Sequence, residues 1–418
     1  MSSLKPLIPL LIAAGILLGG NGLQGTLIAV RGAHEGFSPA MIGFMGTAYF
    51  AGFLIGCVFI TRLIRAVGHI RSFAALAATA SVGALMLVLT LDPTMWAILR
   101  FVSGICFAGL FTVMESWLNS GASNDDRARV LALYRMIDIG AVTGMQFVIP
   151  ALGVESFTVF AVMSMMITFS LVPVSIGDRS NPTPPEDVRL DLGRVWRISP
   201  LAASGCLAIG VTNSAFRTVG PVYASQIGLS VTEIAIFVSI GIIGGALIQY
   251  PLGYLSDRRD RRQVLLVTTG LAMATALAMV FFAGDDPGRN FVLVFLFGAF
   301  AMPLFSLSAA HANDHAERSE FVLVTAGLML FYSIGAIAGP VASSWAMEHF
   351  GPQALFGFNA AIYAIFILVT LYRMRVRPGV PVEERGRFAA LLRTSPIFAR
   401  LVGQNGNRAA QRPDAPSE

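Results

Sequence analysis

Charge almost disappears from this chain over run after run of about twenty residues, and it returns in short clusters between them. A run of that length is what an α-helix rising 1.5 Å per residue needs to cross ~30 Å of hydrocarbon. Within lipid a helix is favoured because it satisfies its own backbone hydrogen bonds. Twelve such runs occur, beginning near Pro6, Pro39, Phe73, Met95, Val130, Ser156, Leu201, Thr232, Val264, Phe291, Phe321 and Ala354. Twelve spans consume ~240 residues, and the 418 present leave room for short turns, one linker and a tail. With 55% hydrophobic and 13% charged residues, against about 25% charged in soluble proteins, the chain has more apolar surface than a water-soluble domain can hide. The expected fold class is all-α integral membrane, with twelve transmembrane helices. The first apolar run is too long for a signal peptide and lacks a small-residue cleavage site, so it reads as a span.

The densest charged cluster is Gly253-Tyr254-Leu255-Ser256-Asp257-Arg258-Arg259-Asp260-Arg261-Arg262. Wedged between two apolar runs, it is expected to be a tight, water-facing turn. Short loops rich in Lys and Arg stay cytoplasmic, and the proposed outer loops hold only Arg31 and Arg289 as basic residues. Both termini are therefore expected in the cytoplasm of a bacterial inner (plasma) membrane protein. The net charge of +5 is scattered over turns rather than gathered in a basic domain, which argues against a nucleic-acid partner. Cys57, Cys106 and Cys206 fall inside spans without CxxC spacing and read as packing residues, so no metal or cofactor is expected.

The two halves of the chain repeat each other. At an offset of 192, Arg65 aligns with Asp257, Gly36 with Gly228, Ser38 with Ser230, Ile42 with Ile234 and Gly52 with Gly244. The offset then drifts to 194 and 195, pairing Leu110-Phe111 with Leu304-Phe305, Asn119 with Asn313, and Gly140-Ala141 with Gly335-Ala336. Parallel repeats of this size, the pattern Gly-x-Leu-Ser-Asp-Arg-x-x-Arg-Arg at Gly253–Arg262, and Arg100 four residues before Gly104 together resemble the major facilitator superfamily. In the first half Thr61 and Arg65 replace the glycine and aspartate of that pattern; this departure, with the stretch from Arg100 to Tyr134, resembles the YcaD-like bacterial branch. The resemblance implies two pseudo-symmetric six-helix halves, 1–176 and 200–373, joined by a cytoplasmic linker, 177–199, and followed by a cytoplasmic tail, 374–418. It also implies a monomer that moves a small-molecule substrate across the lipid bilayer by alternating access. Gly253, Asp257, Arg258, Arg261 and Arg262, with Arg100 and Gly104, then have conformational roles.

Polar residues inside spans are costly and mark candidate sites. In the first span Asn21 and Gln24 lie among glycines and are candidates for substrate contact or for hydrogen bonds between helices. Arg31, His34 and Glu35 are expected in the outer loop that follows. Glu115 lies ~22 Å along its helix from Arg100 and is a candidate latch to Arg62, Arg65 or Arg71, or a proton carrier. Arg135 and Asp138, three residues apart, share a helix face; they form a self-neutralising pair, or a proton site at Asp138 with Arg135 as substrate anchor. Gly140 and Gly144 are expected to form a close-packing face. Asn213 and Arg217 are candidate substrate ligands, with snorkelling to the outer surface the alternative for Arg217. Gly335-x-x-x-Gly339-Pro340 is expected to be a close-contact face with a kink. His311 and His315 have i, i+4 spacing but no accompanying HExxH glutamate, and are expected at a gate or helix end. A short surface helix is expected near Leu190–Trp196. In the tail, Phe388, Leu391, Leu392, Phe398 and Leu401 beside Arg387, Arg393 and Arg400 suggest a basic amphipathic helix, with a disordered end beyond it.

Without a P-loop, energy is expected from a gradient, most plausibly of protons. Arg100, Arg135 and Arg217 outnumber Asp138 and Glu115, which favours a substrate with an anionic group. The reading is a secondary transporter and not an enzyme, since no Ser/His or His/acid set falls inside the membrane. A proton-driven multidrug exporter and a transporter-like sensor are the alternatives.

Overall fold

The computed structural model describes residues 7–121, 127–176, 191–317, 320–378, 380 and 388, and every regular element among them is helical. The first half comprises α1 (Ile8–His34), α2 (Pro39–Val67), α3 (His69–Leu89), α4 (Pro93–Gly121), α5 (Arg127–Met145), α6 (Val148–Leu152), α7 (Phe157–Phe169) and α8 (Leu171–Ile176). A short helix, α9 (Leu192–Ile198), leads into α10 (Pro200–Gln226), α11 (Val231–Arg258), α12 (Arg261–Phe282), α13 (Pro287–Ala301), α14 (Leu304–Asn313), α15 (Phe321–Phe350) and α16 (Ala354–Val376). Eleven helices or near-continuous helix pairs are long and apolar enough to cross a membrane, and α10 taken with α9, from which it bends by 114°, makes a twelfth.

Three expected spans are interrupted, between α5 and α6, α7 and α8, and α13 and α14. The breaks lie just before Pro150 and Pro173 and at Pro303. A proline ring removes one N–H and crowds the carbonyl four residues earlier. By contrast α10, α11 and α15 run unbroken through Pro221, Pro251 and Pro340. Tail residues 379, 381–387 and 389–418, and residues 177–190 of the linker, lie outside the described residues, and with them the expected amphipathic helix apart from Phe388. The expected surface helix is α9: Asp191 caps it by accepting from the Arg194 N–H at 2.8 Å, and Trp196 rests on Phe331 at 6.0 Å between ring centroids.

The duplication is visible in the packing. Ser38 and Ser230 cap α2 and α11, each hydroxyl accepting from the N–H three residues on at 3.3 Å. A Cβ at Gly52 would lie 2.0 Å from the Phe101 carbonyl oxygen, and one at the aligned Gly244 2.2 Å from that of Phe295. Gly104 and Gly298 return the contact, at 2.1 Å from Tyr49 O and 1.9 Å from Gly241 O. Thus α2 crosses α4, and α11 crosses α13, backbone against backbone, as small residues permit in lipid. Gly335 and Gly339 bring α15 equally close to α10, at 2.1 Å from Leu207 O and Val211 O. Gly140 and Gly144 differ from expectation: both face open space. In this half the larger Val142 and Met145 of α5 fill against Gly22 and Gly19 of α1, so the glycines sit on the α1 side of the contact.

Two further expectations are corrected. Arg31 is the last turn of α1, not loop; it is buried, pairing with Glu35 at 2.7 Å and donating to Val154 O at 3.2 Å. The arginine-rich cluster is mostly helix, since α11 runs to Arg258 and α12 begins at Arg261. Arg261 is not water-facing. Its side chain is 3% exposed, held by Asp314 at 2.6 Å and Asp257 at 2.9 Å, and partners on two other helix ends are what permit a guanidinium to leave water.

The arginines of α2, α11, α12 and α16 define a basic end of the bundle. At the other end the halves meet. A Cβ on Gly43 would clash with Ser344 and the Pro340 carbonyl oxygen, and one on Gly46 with Thr218. Thr47 Oγ1 donates to Ile337 O at 2.7 Å, and Ser239 Oγ to Thr143 O at 3.4 Å. The bundle is closed away from its basic end.

Replacing Arg261 with Gln removes a charged partner of the buried Asp314 carboxylate and is expected to lower stability by about 3–5 kcal/mol. Asp257→Asn, at a carboxylate one-third exposed, is expected to cost about 1 kcal/mol or less; thermal unfolding of the two variants in detergent measures the contrast. Gly43→Leu is expected to hold the closed end apart, which accelerates thiol labelling of a cysteine placed at Thr47 at least several-fold over the same probe in the native background.

Candidate functional site

Between the halves lies a cavity that opens to solvent, with about 1230 Å³ of empty space counting that opening, lined by α1, α2, α4, α5, α10, α11 and α15. Its charged lining is Arg100, Arg135, Asp138 and Arg217, three guanidinium groups against one carboxylate among the described residues. Its walls are aromatic, with Tyr49, Phe50, Phe53, Phe111, Phe216 and Tyr332.

Arg100 is fixed in place. The α2–α4 crossing at Gly104 sets the Tyr49 ring over its guanidinium, 4.2 Å from carbon to ring centroid, within the range of a cation–π contact. Its Nη1 donates to Gln24 Oε1 at 2.9 Å, and Gln24 Nε2 reaches Ser103 Oγ at 3.5 Å. The Tyr49 hydroxyl in turn donates to Asn21 Oδ1 at 2.9 Å. Of the two α1 amides, Asn21 lines the cavity, while Gln24 is fully buried behind it as the partner of Arg100.

Arg135 and Asp138 form an ion pair at 2.9 Å, as one helix face three residues apart allows. Arg135 Nη2 also reaches Gln249 Oε1 on α11 at 3.4 Å, and Gln249 Nε2 donates to Ser306 Oγ on α14 at 3.0 Å. A chain of polar groups therefore runs from the first half into the second. Gln146, at the break after α5, donates to Val142 O at 3.0 Å and Gly22 O at 3.4 Å. Its Oε1 is buried without a hydrogen-bond partner among the described residues.

Arg217 is exposed within the same cavity and makes no hydrogen bond or ion pair among the described residues. Asn213, one turn earlier on α10, is buried and lies outside the lining. Glu115 is buried on α4 and is likewise outside it. No group of three metal-ligating side chains occurs among the described residues. Tyr49, Gln146 and Tyr332 escaped the sequence reading because uncharged residues inside a span carry no cost that singles them out. For Gln146 a signal existed in Pro150 four residues on, which breaks the helix where the amide is needed.

The arrangement can hold a solute of metabolite size, with aromatic surfaces for an apolar body and guanidinium groups for an anionic one. Gln24→Leu removes the buried partner of Arg100 and is expected to destabilise by about 1.5–3 kcal/mol. Asn21→Ala, at the cavity wall, is expected to cost less; melting temperatures in detergent separate the two.

The comparisons with known proteins agree with this geometry. The family model of the Major Facilitator Superfamily matches residues 10–318 and 290–406. The MFS-type transporter YcaD of Escherichia fergusonii is 26% identical over 378 residues, covering 89% of this chain and 96% of that protein. Among solved structures, the nucleoside transporter NupG superposes with a TM-score of 0.74 at 12% identity, over 89% of this chain and all of that one. The E. coli fucose:proton symporter FucP does so with a TM-score of 0.56 at 16% identity, over 89% of this chain and 99% of that one. The two solved structures share the fold of this chain, and on the family match over most of its length this chain belongs to the major facilitator superfamily.

Proposed function

We propose that this protein is a secondary transporter of small organic anions, coupled to protons through Asp138. The observation that carries the reading is Arg217, exposed in the central cavity without a partner among the described residues while Arg100 and Arg135 are each engaged. A cation inside the membrane-spanning bundle with no counter-charge beside it is a natural partner for an anion. A carboxylate or similar group on the substrate supplies that anion, and the aromatic walls cover its apolar body. An apolar cation would meet three guanidinium groups, which disfavours the multidrug alternative.

Coupling follows from the sharing of Arg135. A substrate anion that draws Arg135 towards itself leaves the Asp138 charge less compensated in a low-dielectric site, and a proton on Asp138 removes that cost. The contact of Arg135 with Gln249 relays the change to the second half. The halves then rock about the cavity, opening it alternately to the two sides. With the basic end placed in the cytoplasm by the positive-inside rule, the contacts at Gly43 and Gly46 close the outer side, so the arrangement is inward-facing. The membrane is the bacterial inner membrane, both termini are cytoplasmic, and the transporter works as a monomer.

The test is transport into proteoliposomes, with internal pH followed by a dye while a panel of organic anions, neutral metabolites and lipophilic cations is added. Anion-dependent proton movement is expected, weakened about ten- to a hundredfold in KM by Arg217→Gln, the equivalent of ~1.5–3 kcal/mol for a charge-assisted hydrogen bond. Asp138→Asn is expected to abolish proton movement while leaving anion binding. Transport of cations unaffected by Arg217→Gln would overturn the assignment.

A further inference from the structure

A second, shallow cavity opening to solvent lies at the basic end of the second half, away from the central one. Five of its lining residues are basic: Arg262 of α12, His311 of α14, His315 just beyond α14, Arg373 of α16 and Arg377 just after it. Ser199, Pro200 and Leu201 complete it from the start of α10. No carboxylate among the described residues lines it. The neighbouring acids are spent on other contacts: Asp260 pairs with Arg262 at 2.6 Å and Asp314 with Arg261 at 2.6 Å.

These groups are built into place. Arg262 Nη1 donates to Arg377 O at 2.6 Å, and Arg377 Nη1 to Ile198 O at 3.0 Å. His315 Nδ1 is 3.0 Å from His311 O, and the two rings meet edge to face at 4.6 Å. The His311 side chain, more than nine-tenths buried, lines the cavity and makes no hydrogen bond among the described residues. The Arg373 side chain, on a half-buried residue there, likewise makes no hydrogen bond or ion pair among them. The N-terminal end of the 27-residue α10, which begins at Pro200 and is capped by Ser199 Oγ accepting from the Ala202 N–H at 3.2 Å, adds only the partial positive charge of its helix dipole. Burial above all, opposed by the contact with the His311 carbonyl and aided by the nearby Arg377, Arg262 and Arg373, holds His315 below the usual imidazole range; the arginines' share of that push is repulsion among cations, which a bound anion relieves.

We propose that this pocket binds a phosphate group, either as free phosphate or as part of a lipid headgroup. Planar guanidinium groups and a ring N–H of His311 suit its oxygens, while the N–H of a neutral His315 is engaged by the His311 carbonyl. Bound there, the phosphate joins the starts of α10 and α12 to the ends of α14 and α16. The site is separate from the central cavity, so its test does not depend on the transport reading.

The experiment is thermal unfolding of the delipidated full-length protein in neutral detergent, titrated with sodium phosphate against sodium chloride at equal ionic strength. A parallel arm adds phosphatidylglycerol or phosphatidylcholine and counts retained lipid by native mass spectrometry. A rise in melting temperature specific to phosphate, with half-saturation shifted at least tenfold in Arg373→Gln and in His311→Gln, establishes a free-phosphate site. Silence with phosphate, but retention of phosphatidylglycerol over phosphatidylcholine that both variants lose, establishes the lipid headgroup as the source. Arg373→Lys keeps the charge and is expected to retain most of the effect, which separates loss of the site from misfolding. No specific response to either ligand, or a response unchanged in both neutral variants, overturns the proposal.

Discussion

The contact on which the rest of this structure depends is the crossing of two helix backbones with nothing between them. At Gly52 and Gly104 in the first half, and at Gly244 and Gly298 in the second, a single added methyl group would overlap a carbonyl oxygen of the partner helix. In lipid no hydrophobic force drives such helices together, so close packing and the absence of side chains must hold them. The consequence reaches the cavity: the crossing of α2 and α4 sets Tyr49 against Arg100, and a guanidinium that would otherwise be stranded in hydrocarbon becomes part of a wall.

Around that scaffold the polar residues divide by how fully each is satisfied. Arg100 is held by Gln24 and an aromatic face, and Arg261 by two aspartates; both are structural cations whose cost is met inside the protein. Arg135 is shared between Asp138 and Gln249, and Arg217 has no partner among the described residues. This gradient from fully to incompletely compensated charge is what makes a binding site in a membrane protein, because a ligand gains most where the protein has left an interaction unmade. The glycine contacts that close one end of the bundle involve Gly43 and Gly46, at positions where the two halves touch rather than where either is held together.

Much of the fold was legible in the sequence. The apolar runs set the spans because hydrocarbon thickness fixes their length, and the aligned Gly36 and Gly228, Ser38 and Ser230, and Gly52 and Gly244 perform the same tasks in both halves. Among site residues, the three-residue spacing of Arg135 and Asp138 was enough to place them on one face, since helix geometry alone decides it. Errors came where partners are distant. Arg31 read as loop and Arg261 as water-facing because a charge at a helix end has no local reason to be buried; each is buried by a group that the sequence places far away, Val154 in one case and Asp314 in the other. Gly140 and Gly144 read as a packing face, yet Val142 and Met145 between and beside them make the contact with α1.

The sequence by itself determined that this chain is a duplicated bundle of membrane helices, because the cost of charge and of unpaired backbone in lipid acts on each segment alone. Only the tertiary structure decided which of its arginines are satisfied and which are available, that Gln24 supports Arg100 while Asn21 faces the cavity, and which end of the bundle is closed. Those are properties of contacts between helices, set by how side chains from distant segments fill shared space, and no local pattern carries them.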